Sequence, residues 1–368
     1  MRIVIVGAGL AGFRTVQALR TAGFSGPVSV VGAEKHSPYD RPPLSKGVLS
    51  GEVQDVSLGP VDADLLLGNA AVGLDKDGRK VALADGTVLG YDHLVIATGL
   101  SARPMPGALT LRTLEDASAI RSAMTEPARL VVVGAGVLGC EIAATFRSLG
   151  HPVTLIEPCP GPLWQALNGS VACDLIGQWH ENHGVTTLFD TSVTDVRDGV
   201  VHLQDGREAA GDVVVAAIGG VPNVAWLDGS GIETGDGVVC GPDCAVAPGI
   251  WAVGDVAHVR GSGRVEHWTS AGEMASVVAA NILGGQSVHQ PSTYFWSDQY
   301  GLKLQALGST AGEATLVRSD PETGKFLVVY GESGTFSGVV GAGHARAVVG
   351  SRMTLGKIPV TEAVSRLS

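Results

Sequence analysis

Cysteine is scarce in this 368-residue chain: there are five, Cys140, Cys159, Cys173, Cys240 and Cys244, and none before position 140. An odd count without C-x-x-C pairing excludes a disulfide framework and a zinc cluster. What remains is a set of reduced, structural thiols, with Cys240 and Cys244 as the alternative dithiol. Cations are also few, 25 Lys and Arg against 36 Asp and Glu for a net charge of -11, so no general surface for a phosphate backbone and no nucleic-acid partner is expected. No apolar run reaches the roughly 18 residues that span a bilayer. Arg2 runs straight into the strand-like IVIVG, without an apolar leader. The expectation is a soluble cytoplasmic protein with no membrane partner. Glycine is what the chain has in plenty. Its 52 glycines within 45% apolar content predict Gly-punctuated α/β layers in one to three domains.

The glycines fall into pattern twice. RIVIVGAGLAGFRTVQALRTAGF, from Arg2 to Phe24, reads as a buried strand, then Gly7-x-Gly9-x-x-Gly12, then a helix ending near Gly23. In that order Gly7 permits the tight turn, Gly9 lets backbone amides approach a pyrophosphate, and Gly12 lets helix pack on strand. LVVVGAGVLGCEIAATFRSLGHPVTLIE, from Leu130 to Glu157, repeats it with Gly134, Gly136 and Gly139. Its second strand closes on Glu157, placed to accept hydrogen bonds from ribose hydroxyls, and no Arg follows in PCPGPLW to welcome a further phosphate. NADH is therefore favoured over NADPH, the alternative being a merely solvated glutamate.

Strand ends are where α/β sheets bind ligands. YDHLVIATG brings Thr98 and Gly99 to one such end, and GIWAVGDVA brings Gly254 and Asp255 to another, where Asp255 either accepts hydrogen bonds from a sugar-like chain or caps the following helix. Between the first two strand patterns and the third lies PYDRPPLSK, Pro38 to Lys46, with three prolines and two cations in nine residues. It is too stiff for a linker and too polar for core.

Assembled, these stretches resemble the oxygenase-coupled, NADH-dependent ferredoxin reductases, FAD flavoproteins of the putidaredoxin reductase, biphenyl dioxygenase reductase and rubredoxin reductase type. The motifs are PYDRPPLSK, GAGVLGCE, ATG at Ala97 to Gly99, GIWAVGDVA, and FWSDQYGLKLQALG from Phe295 to Gly308. Two glycine motifs alone would say only flavoprotein; the first and last of these pieces narrow the branch. The resemblance covers almost the whole chain. It implies an α/β fold of two Rossmann-like, glutathione-reductase-like domains and a small α+β C-terminal domain. Residues 1–110 and 235–290 would form a split FAD domain, 111–234 the NADH domain, and 291–368 a flavin-proximal, partner-docking domain. Locally, KFLVVYGES and TFSGVVGAG predict paired strands and TEAVSRL a helical tail.

The resemblance also implies the site. FAD would be held by Gly7, Gly9, Ala11, Gly12, Arg41, Thr98, Gly99, Arg112, Gly254, Asp255 and the backbone of Val72, with Trp268 against the ring and Trp296 near it on the partner's side. Glu34 would serve the adenosine ribose, because Ala33 occupies the position where the family usually carries an acid; Gly51 to Leu67 is also shorter than the family pattern. NADH would meet Gly134, Gly136, Gly139, Glu141 and Glu157. Lys46 would contact FAD and pair with Glu141, the cation stabilising charge gained on reduction and the acid orienting the nicotinamide. Disulfide reductases of this architecture carry a cysteine pair beside the flavin; here that segment holds Lys46 and no cysteine, so electrons leave to an external acceptor. The implied acceptor is a [2Fe-2S] ferredoxin or rubredoxin-like carrier serving an oxygenase, with the reductase a monomer or homodimer. From Phe295 onward, seven Lys and Arg face six Asp and Glu, leaving 18 against 30 elsewhere, so a less negative face with Arg346, Arg352 and Lys357 suits an acidic carrier. The alternatives are an NADH oxidase or monodehydroascorbate-reductase-like enzyme with a small acceptor, and a redox-sensing protein resembling apoptosis-inducing factor.

Overall fold

The computed structural model describes residues 1–125 and 127–368. Two compact units divide it, each discontinuous in sequence: Met1–Asp40, Asp55–Ser101 and Gly220–Ser292 form one, and Arg41–Gln54, Ala102–Gly219 and Thr293–Ser368 the other.

The first unit is built around Ile3–Val6, a strand buried throughout. Parallel strands covered on both faces carry unbroken apolar runs, and IVIV is one. Val28–Gly32 pairs with it on one side and His93–Ile96 on the other, both parallel and in register from Ile3. The sheet extends past Val28–Gly32 to Asp64–Leu67, and past His93–Ile96 to Ile250–Ala252 and the antiparallel Ala245–Ala247. The chain thus lays strands outward on one side of Ile3–Val6 and then crosses to the other. That reversal opens a crevice at the carboxyl ends of Ile3–Val6 and His93–Ile96. Helices Leu10–Thr21 and Trp268–Ile282 pack closely, with Ala11, Gly12, Ala271 and Ala275 among their buried residues.

The second unit repeats the device. Leu130–Val133 is central and fully buried, flanked in parallel by Val153–Ile156 and Val213–Ala216, with Thr186–Leu188 and Leu109–Thr110 at the edges. Its C-terminal part is a five-stranded antiparallel sheet in the spatial order Tyr294–Gln299, Leu302–Gly308, Thr335–Ala342, Lys325–Glu332, Glu313–Asp320. The two patterns predicted to pair do so from Phe326 against Ala342 to Glu332 against Thr335, and the tail is the helix Val360–Leu367. Alternate residues of Lys325–Glu332 serve different cores. Phe326, Val328 and Tyr330 pack with Leu163, Ile176 and Trp179, whereas Leu327 and Val329 pack with Phe336 and Ala363 of the terminal helix. The fold class is the one the sequence implies, two dinucleotide-binding modules with a small α+β domain at the end.

Candidate functional site

Each glycine motif separates into two residues that packing demands and one that leaves room. Gly7 has φ +125, and a Cβ on it would lie 2.0 Å from the Ala97 carbonyl oxygen; a Cβ on Gly12 would lie 2.0 Å from the Gly7 carbonyl oxygen. Gly9 meets nothing within 4 Å, and it caps Leu10–Thr21 without a side-chain hydrogen bond. The second motif matches it: Gly134 (φ +97) and Gly139 would clash at 2.4 Å with Ala217 and 1.8 Å with Gly134, while Gly136, the uncapped start of Val137–Ser148, is open. Neither helix has an acid in its first turn. Open space before unpaired amides at the positive end of a helix dipole fits a pyrophosphate, once in each unit.

The strand ends beside the first motif are braced. Gly254 has φ +71, and a Cβ there would come 2.7 Å from that of Ala11, so these two residues require each other to be small. Asp255 lies in the 3-10 turn Gly254–Val256; the next long helix is capped by His267, so Asp255 does not play the capping role. Thr98 and Gly99 are clamped by Asn223: Thr98 Oγ1 donates to the Asn223 carbonyl at 2.8 Å, Asn223 Nδ2 donates to the Thr98 carbonyl at 2.9 Å, and Asn223 N donates to the Gly99 carbonyl at 3.0 Å. Tyr39 donates its hydroxyl to Glu34 Oε2 at 2.6 Å, fixing the carboxylate next to exposed Ala33. Trp268 Nε1 donates to Asp40 Oδ1 at 2.8 Å beneath the Arg14 guanidinium, 5.2 Å from its ring. Val72 is exposed on the strand Ala71–Asp75.

In the second unit the proline-rich loop turns into a centre of charge. Pro42–Ser45 is a 3-10 helix with proline at its start, where a missing N–H costs nothing. It delivers Lys46 to Glu141: Nζ lies 2.6 Å from Oε2 and also donates to the Pro42 carbonyl at 2.9 Å. Glu141 sits in the helix Val137–Ser148 and is 5% exposed. Its Oε2 also accepts from Ser45 Oγ, its Oε1 accepts from Ser297 Oγ at 2.9 Å, and Thr145 Oγ1 holds the Ser45 carbonyl at 2.7 Å. Arg41 donates to the Arg112 carbonyl, and the Arg112 and Thr113 amides donate to Asp116 Oδ2 in the capping box that opens Leu114–Ala123. Glu157 accepts from Ala135 N at 2.7 Å and from Cys159 N at 3.2 Å, so it braces the second glycine turn from the end of Val153–Ile156. Trp296, on Tyr294–Gln299, stacks on Tyr294 at 6.0 Å with Lys303 Nζ 5.9 Å from its ring.

The pyridine nucleotide-disulphide oxidoreductase model matches residues 1–275, and the reductase C-terminal model residues 294–364. The chain is 35% identical to the ferredoxin–NAD(+) reductase component of the p-cumate 2,3-dioxygenase system of Pseudomonas putida, over 89% of this chain and 86% of that one. It is 36% identical to rhodocoxin reductase of Rhodococcus erythropolis over 89% and 83% of the two chains. Among solved structures, the ferredoxin reductase for the CYP199A2 system of Rhodopseudomonas palustris superposes with a TM-score of 0.92 at 30% identity, covering 99% of this chain and 97% of that one. The covalent putidaredoxin reductase–putidaredoxin complex gives 0.89 at 29% identity, covering 100% and 98%.

The chain belongs to the pyridine nucleotide-disulphide oxidoreductases. Within them it is of the ferredoxin–NAD+ reductase type, an FAD- and NADH-dependent oxidoreductase. This reductase has no disulfide among its described residues; all five cysteines are free. Burial pushes the Cys240 thiol up to about 12 and raises Cys244 as well, which keeps both protonated at neutral pH. Cys140 is buried against the Ala135 carbonyl, a packing residue, and burial together with the Glu141 charge raises its pKa. No helix among the described residues is long and apolar enough to cross a membrane, and no His, Cys, Asp and Glu cluster among them could hold a metal.

The sequence reading missed Asn223, Ser45, Ser297 and Gln299. Asn223 follows a Gly-Gly-x-Pro turn, a weak local signal. Ser297 and Gln299 alternate along FWSDQYG, and polar residues two apart share one face of a strand, a pattern that could have marked both.

Proposed function

We propose that this reductase takes electrons from NADH and passes them singly to a [2Fe-2S] ferredoxin or rubredoxin-like carrier that serves an oxygenase. FAD, when bound, supplies the conversion between a two-electron donor and a one-electron acceptor. The chain's own residues supply position and charge. Gly7, Gly9, Ala11, Gly12, Gly254 and Asp255 receive FAD together with Glu34, the Val72 backbone, Thr98, Gly99, Arg41, Arg112, Trp268 and Trp296. Gly134, Gly136, Gly139 and Glu157 receive NADH. The segments 1–110 and 235–290, 111–234, and 291–368 are the corresponding FAD, NADH and partner-docking domains.

The observation that carries the reading is Lys46 Nζ held 2.6 Å from buried Glu141 Oε2, in a segment that lacks cysteine. The lysine offers a cation where negative charge develops, and the glutamate keeps that cation in place. Without a nearby thiol pair, the electrons go outward to a separate acceptor. Relatives are named as reductase components of dioxygenase systems, and one solved relative is joined to an iron–sulfur partner, putidaredoxin, which supports the same acceptor class here. The test has two stages. Anaerobic NADH should bleach the yellow holoenzyme, and cytochrome c reduction should then depend on added [2Fe-2S] ferredoxin. Bleaching with equal cytochrome c reduction in the presence and absence of every ferredoxin tried would favour a small acceptor and overturn the carrier assignment.

A further inference from the structure

Behind Glu141 lies a line of buried polar side chains that the hydride chemistry does not require. Ser297 Oγ has one proton to give. Gln299 sits two residues along the same strand and donates from Nε2 to Ser297 Oγ at 3.0 Å. With that lone pair taken, the hydroxyl proton goes to Glu141 Oε1, 2.9 Å away. Gln299 Oε1 and His180 Nε2 are both buried and neither makes a hydrogen bond among the described residues. Gln299 is the polar side chain that partly offsets the effect of burial on the His180 imidazole.

His180 comes from the helix Val171–Asn182 and its Nδ1 lies 2.7 Å from the Tyr300 hydroxyl. Burial holds the imidazole neutral, lowering its pKa to about 4, and pushes the phenol well up. A neutral imidazole that accepts the tyrosine O–H at Nδ1 carries its own proton on Nε2. The bonds present run one way within each of two pieces, from Tyr300 to His180 and from Gln299 through Ser297 to Glu141. Aligned hydrogen bonds polarise one another in a buried setting.

We propose that Ser297 and Gln299 are positioning residues that hold the Glu141 carboxylate turned toward Lys46. This rests on the role given above to the Lys46–Glu141 pair. The groups that face the carboxylate are Lys46 and Ser45 from the loop, Ser297 from the strand, and Cys140, its neighbour on its own helix, which remains a thiol at working pH. Lys46 holds the charge and the serine chain fixes the direction.

The test compares wild-type holoenzyme with Ser297→Ala, Ser297→Thr, Gln299→Glu and Glu141→Gln by the infrared frequency of the carboxylate band at fixed pH and by stopped-flow bleaching with NADH. Ser297→Ala should shift the carboxylate stretching band that Glu141→Gln abolishes, because the hydrogen bond to Oε1 is lost. It should slow bleaching about ten-fold. Ser297→Thr should restore both. Gln299→Glu should reproduce the alanine result, because its carboxylate captures the serine proton, and it stands in if Ser297→Ala fails to fold. In a Glu141→Gln background, Ser297→Ala should cost nothing further. If Glu141→Gln slows bleaching while Ser297→Ala and Gln299→Glu leave band frequency and rate untouched, the positioning role is overturned; so it is if threonine fails to rescue or the serine loss is undiminished in the Glu141→Gln background. Glu141→Gln that bleaches like wild type would instead overturn the role given to Glu141 itself.

Discussion

An alanine at Gly9 meets no atom within 4 Å, whereas one at Gly12 meets the Gly7 carbonyl oxygen at 2.0 Å. The two substitutions therefore separate binding from folding. Gly9→Ala should leave the melting temperature of the apoprotein nearly unchanged and weaken FAD retention ten-fold or more, measured by fluorescence of released flavin, because its methyl stands where amides meet the pyrophosphate. Gly12→Ala should lower apoprotein stability by about 1–3 kcal/mol through overpacking, read from urea unfolding. Equal loss of flavin without the stability difference would contradict this division of labour. At Lys46 the effect is electrostatic. Lys46→Met leaves the Glu141 carboxylate buried beside two serine hydroxyls and no cation, which should cost about 3–5 kcal/mol and be partly recovered in Lys46→Met/Glu141→Gln, measured by thermal melting of both. These residues were legible for different reasons. A glycine forced by φ +125 leaves a mark in any strand–turn–helix pattern, and Lys46 was found through a string too specific to be chance; Ser297 was missed because its only mark is the two-residue alternation with Gln299, whose burial the fold alone reveals.

Among the elements, the helix Val171–Asn182 has the clearest pH signature. It buries His180 completely against Tyr300, in the turn between Tyr294–Gln299 and Leu302–Gly308, and burial lowers the imidazole pKa to about 4 from its ordinary 6.5. Between those two values the unfolded chain binds a proton that the native state refuses, so stability falls as pH drops from about 6.5 toward 4. By pH 5 the loss from this one group should approach about 2 kcal/mol. Urea unfolding at pH 7 and pH 5 should show it, and His180→Asn should flatten the difference; an unchanged difference would mean that other groups govern the acid limb. The helix was not singled out in the sequence reading, since a lone histidine in an amphipathic stretch is an ordinary residue until its burial is known. By contrast, Lys325–Glu332 and Thr335–Ala342 were readable as paired strands from alternation across a short turn, although the sharing of Lys325–Glu332 between two cores was not.

For the whole molecule, charge distribution sets how an acidic partner approaches. The C-terminal segment from Phe295 carries seven cations against six acids, in a chain with a net charge of -11. Exchanging Arg346 and Lys357 for glutamate should raise the KM for a [2Fe-2S] ferredoxin several-fold at low ionic strength, with the effect shrinking in salt, and should leave anaerobic bleaching by NADH unaltered. Steady-state assays across salt concentrations check this; a KM insensitive to both charge and salt would place docking elsewhere.

Local order was enough for the sequence to determine two nucleotide-binding modules, their glycine geometry, the likeness to NADH-dependent flavoprotein reductases and the absence of a thiol pair near the front of the chain. These features live in contiguous stretches, where backbone sterics and strand–turn–helix periodicity leave few solutions. Tertiary structure alone decided that Asn223 clamps Thr98 and Gly99, that Tyr39 fixes Glu34, and that Ser45 and Ser297 meet on one carboxylate from positions 96 and 156 residues away from Glu141. A hydrogen bond needs its partners within about 3 Å, and only the folded backbone brings residues so distant in sequence to that range.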